Sequence, residues 1–253
     1  MSCGTVDLTT RGKNTGDAMS CVIPLTLKHG FIRVFLLRGN SFILVDTGSP
    51  GCGQEILTRL RQVGVCPEEI SLILITHGHV DHWGNARFLK KKLRAPLAIH
   101  AADAQRVREG HSGFLRPTCP AGIAYKVFSS LSSRTRGGLR GAEPDLEIEI
   151  PFSLRLFGVD GMVIPTPGHT RGSLSVILQS GEAVIGDLLM GGLLRSHRPG
   201  WPIFAEDREA VRGSLEMVLE KGAHTLYPSH GGVLSAKDCV SLLNNRTHQR
   251  GVR

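Results

Sequence analysis

Apolar residues between positions 21 and 46 fall in three short, partly alternating runs, 21–28, 31–38 and 41–46, broken at His29-Gly30 and Gly39-Asn40. The break Arg38-Gly39-Asn40-Ser41 is a hairpin signal, so this part of the chain predicts a β-meander. The period then changes. Ile56, Leu57, Leu60 and Val63 recur at helical spacing, and Gly64 closes the run. Pro67-Glu68-Glu69 marks a turn or short helix before the apolar run 72–75, which reads as a buried strand. A helix over 85–93 with Lys90, Lys91 and Lys92 on its outer face follows, then a strand over 97–99.

Residues 101–150 are less regular. They predict helices over 101–108 and 125–131, a break from Arg116-Pro117 to Pro120, and a basic loop over 132–141. Strand patterns return at 152–157, 162–164, 174–178 and 183–185, followed by a helix over 207–219, a strand over 225–227 and a helix over 236–243. The order of elements repeats: strands, helix, strand, helix, twice. Two such halves imply an α/β fold of the four-layer αβ/βα sandwich type, with two mixed sheets flanked by helices and a site where the sheets meet. The expected organisation is a single domain over 1–253 carrying a basic insertion at about 101–150.

Composition changes this picture little. An apolar content of 41% with 21% charged residues is ordinary for a water-soluble globular chain, and no stretch has the apolar length of a membrane span. Residues 1–20 lack the apolar core of a signal peptide. Cys3, Cys21, Cys52, Cys66, Cys119 and Cys239 are dispersed without a C-x-x-C pair, which predicts free thiols and a cytoplasmic protein. Charge is more telling. The net +8 resides between Arg87 and Arg140, where the acids are Asp103 and Glu109 alone. Such a sector favours an anionic partner, either a small phosphate or carboxylate substrate or, as a lesser alternative, nucleic acid; a solvated basic face is the plain alternative. Arg134, Arg136 and Arg140 place the candidate specificity lid in the basic loop.

The chemistry concentrates after the 72–75 strand, where His77, His79, Asp81 and His82 fall within six positions. Imidazole and carboxylate suit zinc and its first-row neighbours. Histidines two apart at a strand end can converge on one ion, and Asp81 with His82 can hold a second. Three more strand ends carry ligand-type residues among glycine and proline: His169 in Pro167-Gly168-His169-Thr170, Asp187 after Gly186, and His230 in Ser229-His230-Gly231. Asp46, in Asp46-Thr47-Gly48, is read as a brace for the histidine loop. His100 is read as a surface histidine, and Phe204, Met190 and Trp201 as a pocket wall.

Together, His77-x-His79-x-Asp81-His82, His169, Asp187 and His230 resemble the metallo-β-lactamase superfamily, in particular its dinuclear glyoxalase II-like and lactonase-like hydrolases. The resemblance runs from about Val22 to about Leu243. It implies that His77, His79 and His169 hold one metal, that Asp81, His82 and His230 hold a second, and that Asp187 bridges both. The implied cofactor is two divalent ions, zinc first, with iron or manganese as alternatives. The implied reaction is attack by a metal-bridging hydroxide on a small ester, thioester or lactone, with Asp81 orienting the nucleophile and carrying a proton. A phosphodiester or phosphotriester is the alternative substrate on the same site, and an iron-dependent oxygenase the alternative of another class.

Several features separate the chain from particular branches. Asp187 at the bridging position differs from true β-lactamases. The short segment after His230 leaves no room for the glutathione-binding helices of glyoxalase II. Met190 stands where the lactonases carry a tyrosine.

Overall fold

A computed structural model describes residues 19–27, 32–113, 115–132, 139–192 and 196–245. The strands are β1 (Cys21–Leu25), β2 (Val34–Arg38), β3 (Phe42–Val45), β4 (Ile70–Leu74), β5 (Leu97–His100), β6 (Leu146–Ile148), β7 (Phe152–Ser153), β8 (Gly161–Pro165), β9 (Leu174–Leu178), β10 (Glu182–Gly186), β11 (Met190–Gly192), β12 (Ser196–Gly200), β13 (Thr225–Pro228) and β14 (Leu234–Ser235). The helices are α1 (Gly53–Gln62), α2 (Val80–Trp83), α3 (Ala86–Leu93), α4 (Ala101–Glu109), α5 (Pro120–Ser132), α6 (Arg208–Glu220) and α7 (Ala236–Asn244).

One sheet runs β1-β2-β3-β4-β5-β6 and the other β14-β13-β10-β9-β8-β7; β11 and β12 form a separate hairpin. Both large sheets are mixed. Antiparallel pairing of β1, β2 and β3 gives way to parallel pairing from β3 to β6, and β10 pairs parallel with β13 but antiparallel with β9.

The two-residue period of the strands assigns each side chain to a layer. Phe35, Leu37, Ile43, Val45, Leu72 and Leu74 face inward and pack with Val163, Leu174, Val176 and Val184 of the opposite sheet. Their neighbours Leu36, Leu44, Ile73, Leu97 and Ile99 face outward under Ile56, Leu60, Leu89 and Val107 of α1, α3 and α4. On the far side, Ile177, Ala183 and Ile185 are covered by Val211, Leu215 and Val218 of α6 and Cys239 and Leu243 of α7. The layers are therefore helix, sheet, sheet, helix. Strands such as Val34-Phe35-Leu36-Leu37, buried on both faces, read as continuous apolar runs for this reason.

Some local expectations are corrected. The pattern at 152–157 yields only the two residues of β7. A 3₁₀ turn over Leu154–Phe157 follows, because Ser153 Oγ accepts from the Arg155 amide and Gly158 closes the turn at φ 75°. The helix expected at 125–131 starts earlier, at Pro120, a residue suited to a first turn. Strand β6 and the β11–β12 hairpin, each short, are additions to the predicted set. In the predicted basic loop, residues 133–138 lie outside the described residues, with Arg134 and Arg136 among them; so do residues 1–18 at the start of the chain. The described cysteines, Cys21, Cys52, Cys66, Cys119 and Cys239, are all free. Among the described residues no helix is long and apolar enough to cross a membrane.

Candidate metal centre

The ends of β3, β4, β8, β10 and β13 converge at one rim of the sandwich. Backbone hydrogen bonds tie these ends together, between the sheets where Leu174 N–H donates to Thr76 O at 2.8 Å, and within each sheet where Ser229 N–H donates to Gly186 O at 2.9 Å and Asp46 N–H to Leu74 O at 2.8 Å. Sequence-distant loops are thus held in fixed relation, and the seven residues expected as ligands all arrive at this rim. His77, His79 and His169 form one group, Asp81, His82 and His230 another, and Asp187 reaches toward both.

In the first group three ring nitrogens face a common point. His77 Nε2 lies 3.1 Å from His79 Nδ1 and 3.1 Å from His169 Nε2, and the last two are 2.9 Å apart. Nitrogens bound tetrahedrally to one zinc at ~2.0–2.1 Å would stand about 3.3 Å apart. Burial lowers the basicity of all three imidazoles, with their neighbouring histidines acting in the same direction on His77 and His79. His79 is brought down to about 3. Neutral imidazole is the form that ligates.

The second group is charged differently. His230 Nε2 stands 3.5 Å from Asp81 Oδ2 and 3.4 Å from Asp187 Oδ2; His82 Nε2 stands 3.5 Å from Asp187 Oδ1. Against the lowering effect of burial, Asp187 and Asp81 push His230 up to about 9, and Asp46, Asp187 and Asp81 raise His82 well above the usual histidine value. Conversely, His82 and His230 outweigh burial and hold Asp81 down to about 2; His230 and His82 likewise hold Asp187 far below its usual value. The carboxylates thus favour protonated imidazoles at this group, and a divalent ion bound there would compete with those protons.

Orphaned atoms make the same point. His82 Nε2 and Asp187 Oδ1 are buried without a hydrogen-bond partner. The two atoms stand 3.5 Å from each other, wider than a normal hydrogen bond, and point into the same space. A divalent ion is the ligand that satisfies an imidazole and a carboxylate there together. The donor set fits the group.

Around these residues lies a second ring of contacts that sets each ligand's orientation. His169 Nδ1–H donates to Phe204 O at 2.7 Å and His82 Nδ1–H to Asp46 Oδ2 at 2.8 Å, leaving both Nε2 atoms turned toward the centre. Asp46 also accepts from the Thr76 amide at 2.8 Å and the Thr76 hydroxyl at 2.9 Å. Its backbone is held at φ 64°, unusual for a residue other than glycine. Its role as a brace for the histidine loop is what the structure displays. Asparagine tolerates this backbone but lacks the charge that faces His82. Asp46→Asn should therefore weaken metal binding roughly 10- to 100-fold with little change in melting temperature; unchanged affinity in a competitive chelator titration would remove Asp46 from this role.

One brace escaped sequence reasoning. Asp103, fully buried on α4, accepts from the Gly78 amide at 2.8 Å and the Thr170 hydroxyl at 2.6 Å, so it clamps the two loops that carry His77, His79 and His169. Arg106 one turn on lies 3.2 Å from Asp103 and 2.6 Å from Glu206, whose other oxygen accepts the Arg171 amide. The available signal was that Asp103 is one of only two acids inside a basic sector. Gly168, at φ 136°, allows this turn to press on α6, where an added Cβ would lie 2.3 Å from the Val211 nitrogen.

Other expected contacts fall elsewhere. His100 caps α4 by accepting from the Ala102 amide. Trp201 lines a cavity of about 280 Å³ against Arg208, Arg212 and Leu242 of α6 and α7, which corrects its place as part of the metal-site wall. Phe204 approaches the centre through its carbonyl, while its ring meets Tyr125. Met190 opens the β11 hairpin, and the adjacent Gly191 amide donates to His230 O at 2.8 Å.

The sequence model of the metallo-β-lactamase superfamily matches residues 28–230, and that span contains every one of these residues. The chain belongs to the metallo-β-lactamase superfamily. Similar curated proteins include a probable metallo-hydrolase of Methanocaldococcus jannaschii, 26% identical over 79% of this chain and 87% of that protein. A metallo-beta-lactamase domain-containing protein 1 of Xenopus laevis is 27% identical over 78% and 70% of the two chains. Among solved structures, a metallo-beta-lactamase family protein of Thermus thermophilus superposes with a TM-score of 0.62 at 21% identity, over 88% of this chain and 78% of that one. The BLEG-1 B3 metallo-beta-lactamase gives 0.63 at 18% identity, over 88% and 97%. At such identities the superpositions speak for the shared superfamily fold.

Proposed function

We propose that this metallo-β-lactamase superfamily member is a dinuclear metal-dependent hydrolase of a small ester, thioester or lactone. The observation that carries the reading is the pair of converging ligand groups joined by Asp187, with His82 Nε2 and Asp187 Oδ1 buried and unpaired between them. His77, His79 and His169 would hold one ion and Asp81, His82 and His230 the other. Two divalent ions so held supply a nucleophile at neutral pH and polarise the bond to be broken.

The chain's own residues do the rest. Asp46 and Phe204 O fix the rings of His82 and His169. Asp81 is the exposed member of the carboxylate pair, with 36% of its side chain open to solvent against 5% for Asp187. That position suits it to orient the attacking group and to pass a proton to the departing one. The superfamily relatives named as metallo-hydrolases point the same way.

A phosphoester is a second reading with its own observation. Beside the turn that carries His169 lies a cavity of about 590 Å³ lined by Arg106, Arg116 and Arg171 together with Glu206 and Asp207. Glu206 is already engaged by Arg106, Asp207 caps α6 and one Arg116 Nη donates to Glu206 O at 3.3 Å, so Arg171, with the rest of the Arg116 guanidinium, is the group offered to an anionic substituent.

The test is elemental analysis of protein purified without added metal, paired with an ester, thioester, lactone and phosphodiester panel. About two zinc per chain, with turnover abolished by chelator and restored by zinc, is the expected result. Turnover confined to phosphodiesters selects the second reading. Predominant iron with oxygen consumption and no hydrolysis would sink both.

A further inference from the structure

Close-packed interiors seldom leave a gap much larger than a water molecule. A cavity of about 280 Å³ nevertheless lies between α6, the end of α7 and the segment that starts at Trp201. None of the seven ligand-type residues lines it. Its apolar walls are Trp201, Pro202, Val211 and Leu242, and its basic groups are Arg208 and Arg212.

Hydrogen bonds at the margins hold these walls apart. Arg208 Nη2 donates to Thr118 O at 2.6 Å and Arg212 Nη1 to Leu243 O at 2.9 Å, which ties α6 to the chain ahead of α5 and to the last turn of α7. Thr118 in turn donates from its amide to Ile203 O at 2.9 Å and from its hydroxyl to Pro202 O at 2.5 Å, so the segment after Trp201 is fixed as well. Both guanidinium groups are therefore anchored from outside the cavity. Each has five N–H donors; Arg208 commits one to Thr118, and Arg212 commits one to Leu243 and its Nε to Glu216 at 3.2 Å. The two arginines are four residues apart on α6, so they share a face with Cβ atoms about 5–6 Å apart. At that spacing one carboxylate can accept from both.

Trp201 supplies the second recognition element. Its indole is partly buried, and among the described residues it stacks on no other ring. Volume and charge then select the ligand. Benzene fills an engineered cavity of about 150 Å³, so 280 Å³ admits one ring with a small charged substituent and is too small for a nucleotide. Glu209 is the acid in the lining; against Arg208 and Arg212 it leaves one positive charge, which matches a monoanion.

We propose that this cavity is a binding site for a small aromatic monocarboxylate, with the ring against Trp201 and the carboxylate between Arg208 and Arg212. The site is separate from the candidate metal centre and stands independently of the hydrolase reading.

The experiment is a ligand-observed NMR titration of the full-length protein with benzoate, benzamide and cyclohexanecarboxylate, on zinc-loaded and chelator-treated samples. Benzoate should bind with a Kd on the order of 1 mM, alike in both samples, because no ligand-type residue lines the cavity. Benzamide, which lacks the charge, should bind about 10-fold more weakly, and cyclohexanecarboxylate, which lacks the flat ring, about threefold. Trp201→Leu and Arg208→Gln should each weaken benzoate about 10-fold at unchanged metal content, while Trp201→Phe stays within about threefold of wild type. Should Trp201→Leu melt early, Arg208→Gln decides. Absence of saturable benzoate binding, or binding that Arg208→Gln and Trp201→Leu leave intact, overturns the proposal. Binding confined to the zinc-loaded sample does so too, because it puts the carboxylate on the metal. Benzamide binding as tightly as benzoate removes the arginines from recognition and overturns the proposal in the same way.

Discussion

Asp81→Asn should cut turnover by roughly 10²–10⁴-fold and move the melting temperature by no more than about 2 °C. Asparagine keeps the size of the side chain but can neither take up nor pass on a proton. The carboxylate is held ionised, at about 2, because His82 and His230 outweigh the effect of burial. It is thus an acceptor that can orient the attacking group on the proposed reading, and its partial exposure leaves it open to the substrate side. The measurement is kcat at saturating zinc, which separates lost chemistry from weakened binding at the Asp81–His82–His230 group. Calorimetry on the same samples reports the fold. A variant with full kcat would remove Asp81 from the mechanism.

Asp103→Ala should produce the largest loss of stability among the substitutions considered. The change strips acceptors from the Gly78 amide, the Thr170 hydroxyl and the Arg106 guanidinium at once. Breaking a buried, charge-paired group by removing one partner costs about 3–5 kcal/mol, which for a chain of this size lowers the melting temperature on the order of 10 °C. Because Gly78 sits between His77 and His79, and Thr170 follows His169, the same variant should also bind zinc more weakly. Asp103→Asn, which retains one acceptor oxygen, should fall between. A loss under about 1 kcal/mol for the alanine variant would mean that water replaces the clamp and that Asp103 is not the tie between these loops.

Much of this site could be read from residue order. His77-x-His79-x-Asp81-His82 is compact and chemically unmistakable, and His169, Asp187 and His230 each stand at a strand end beside glycine or proline, where a short turn must present a side chain to one rim. Asp46 was legible for the same reason. Asp103 was not. It sits inside a helix, and whether a helical acid is buried or solvated depends on the loop packed against it, which has no local signature. Trp201 failed in the opposite sense: an apolar residue near Asp187 in the chain lies against α6 and α7 in space.

The sequence by itself determined the layers, because period-two and helical apolar patterns state which faces must be covered, and it named the candidate ligands, because their order along the chain carries the superfamily resemblance. Tertiary structure alone decided the rest. It brought the five strand ends to a common rim through hydrogen bonds within and between the sheets and paired His82 with Asp46 to turn its Nε2 inward. It also set the start of α5 against the 202–205 segment, whose Phe204 carbonyl accepts from His169. These are contacts between residues far apart in the chain, and the energy that selects them comes from packing two sheets together rather than from any segment's own preference.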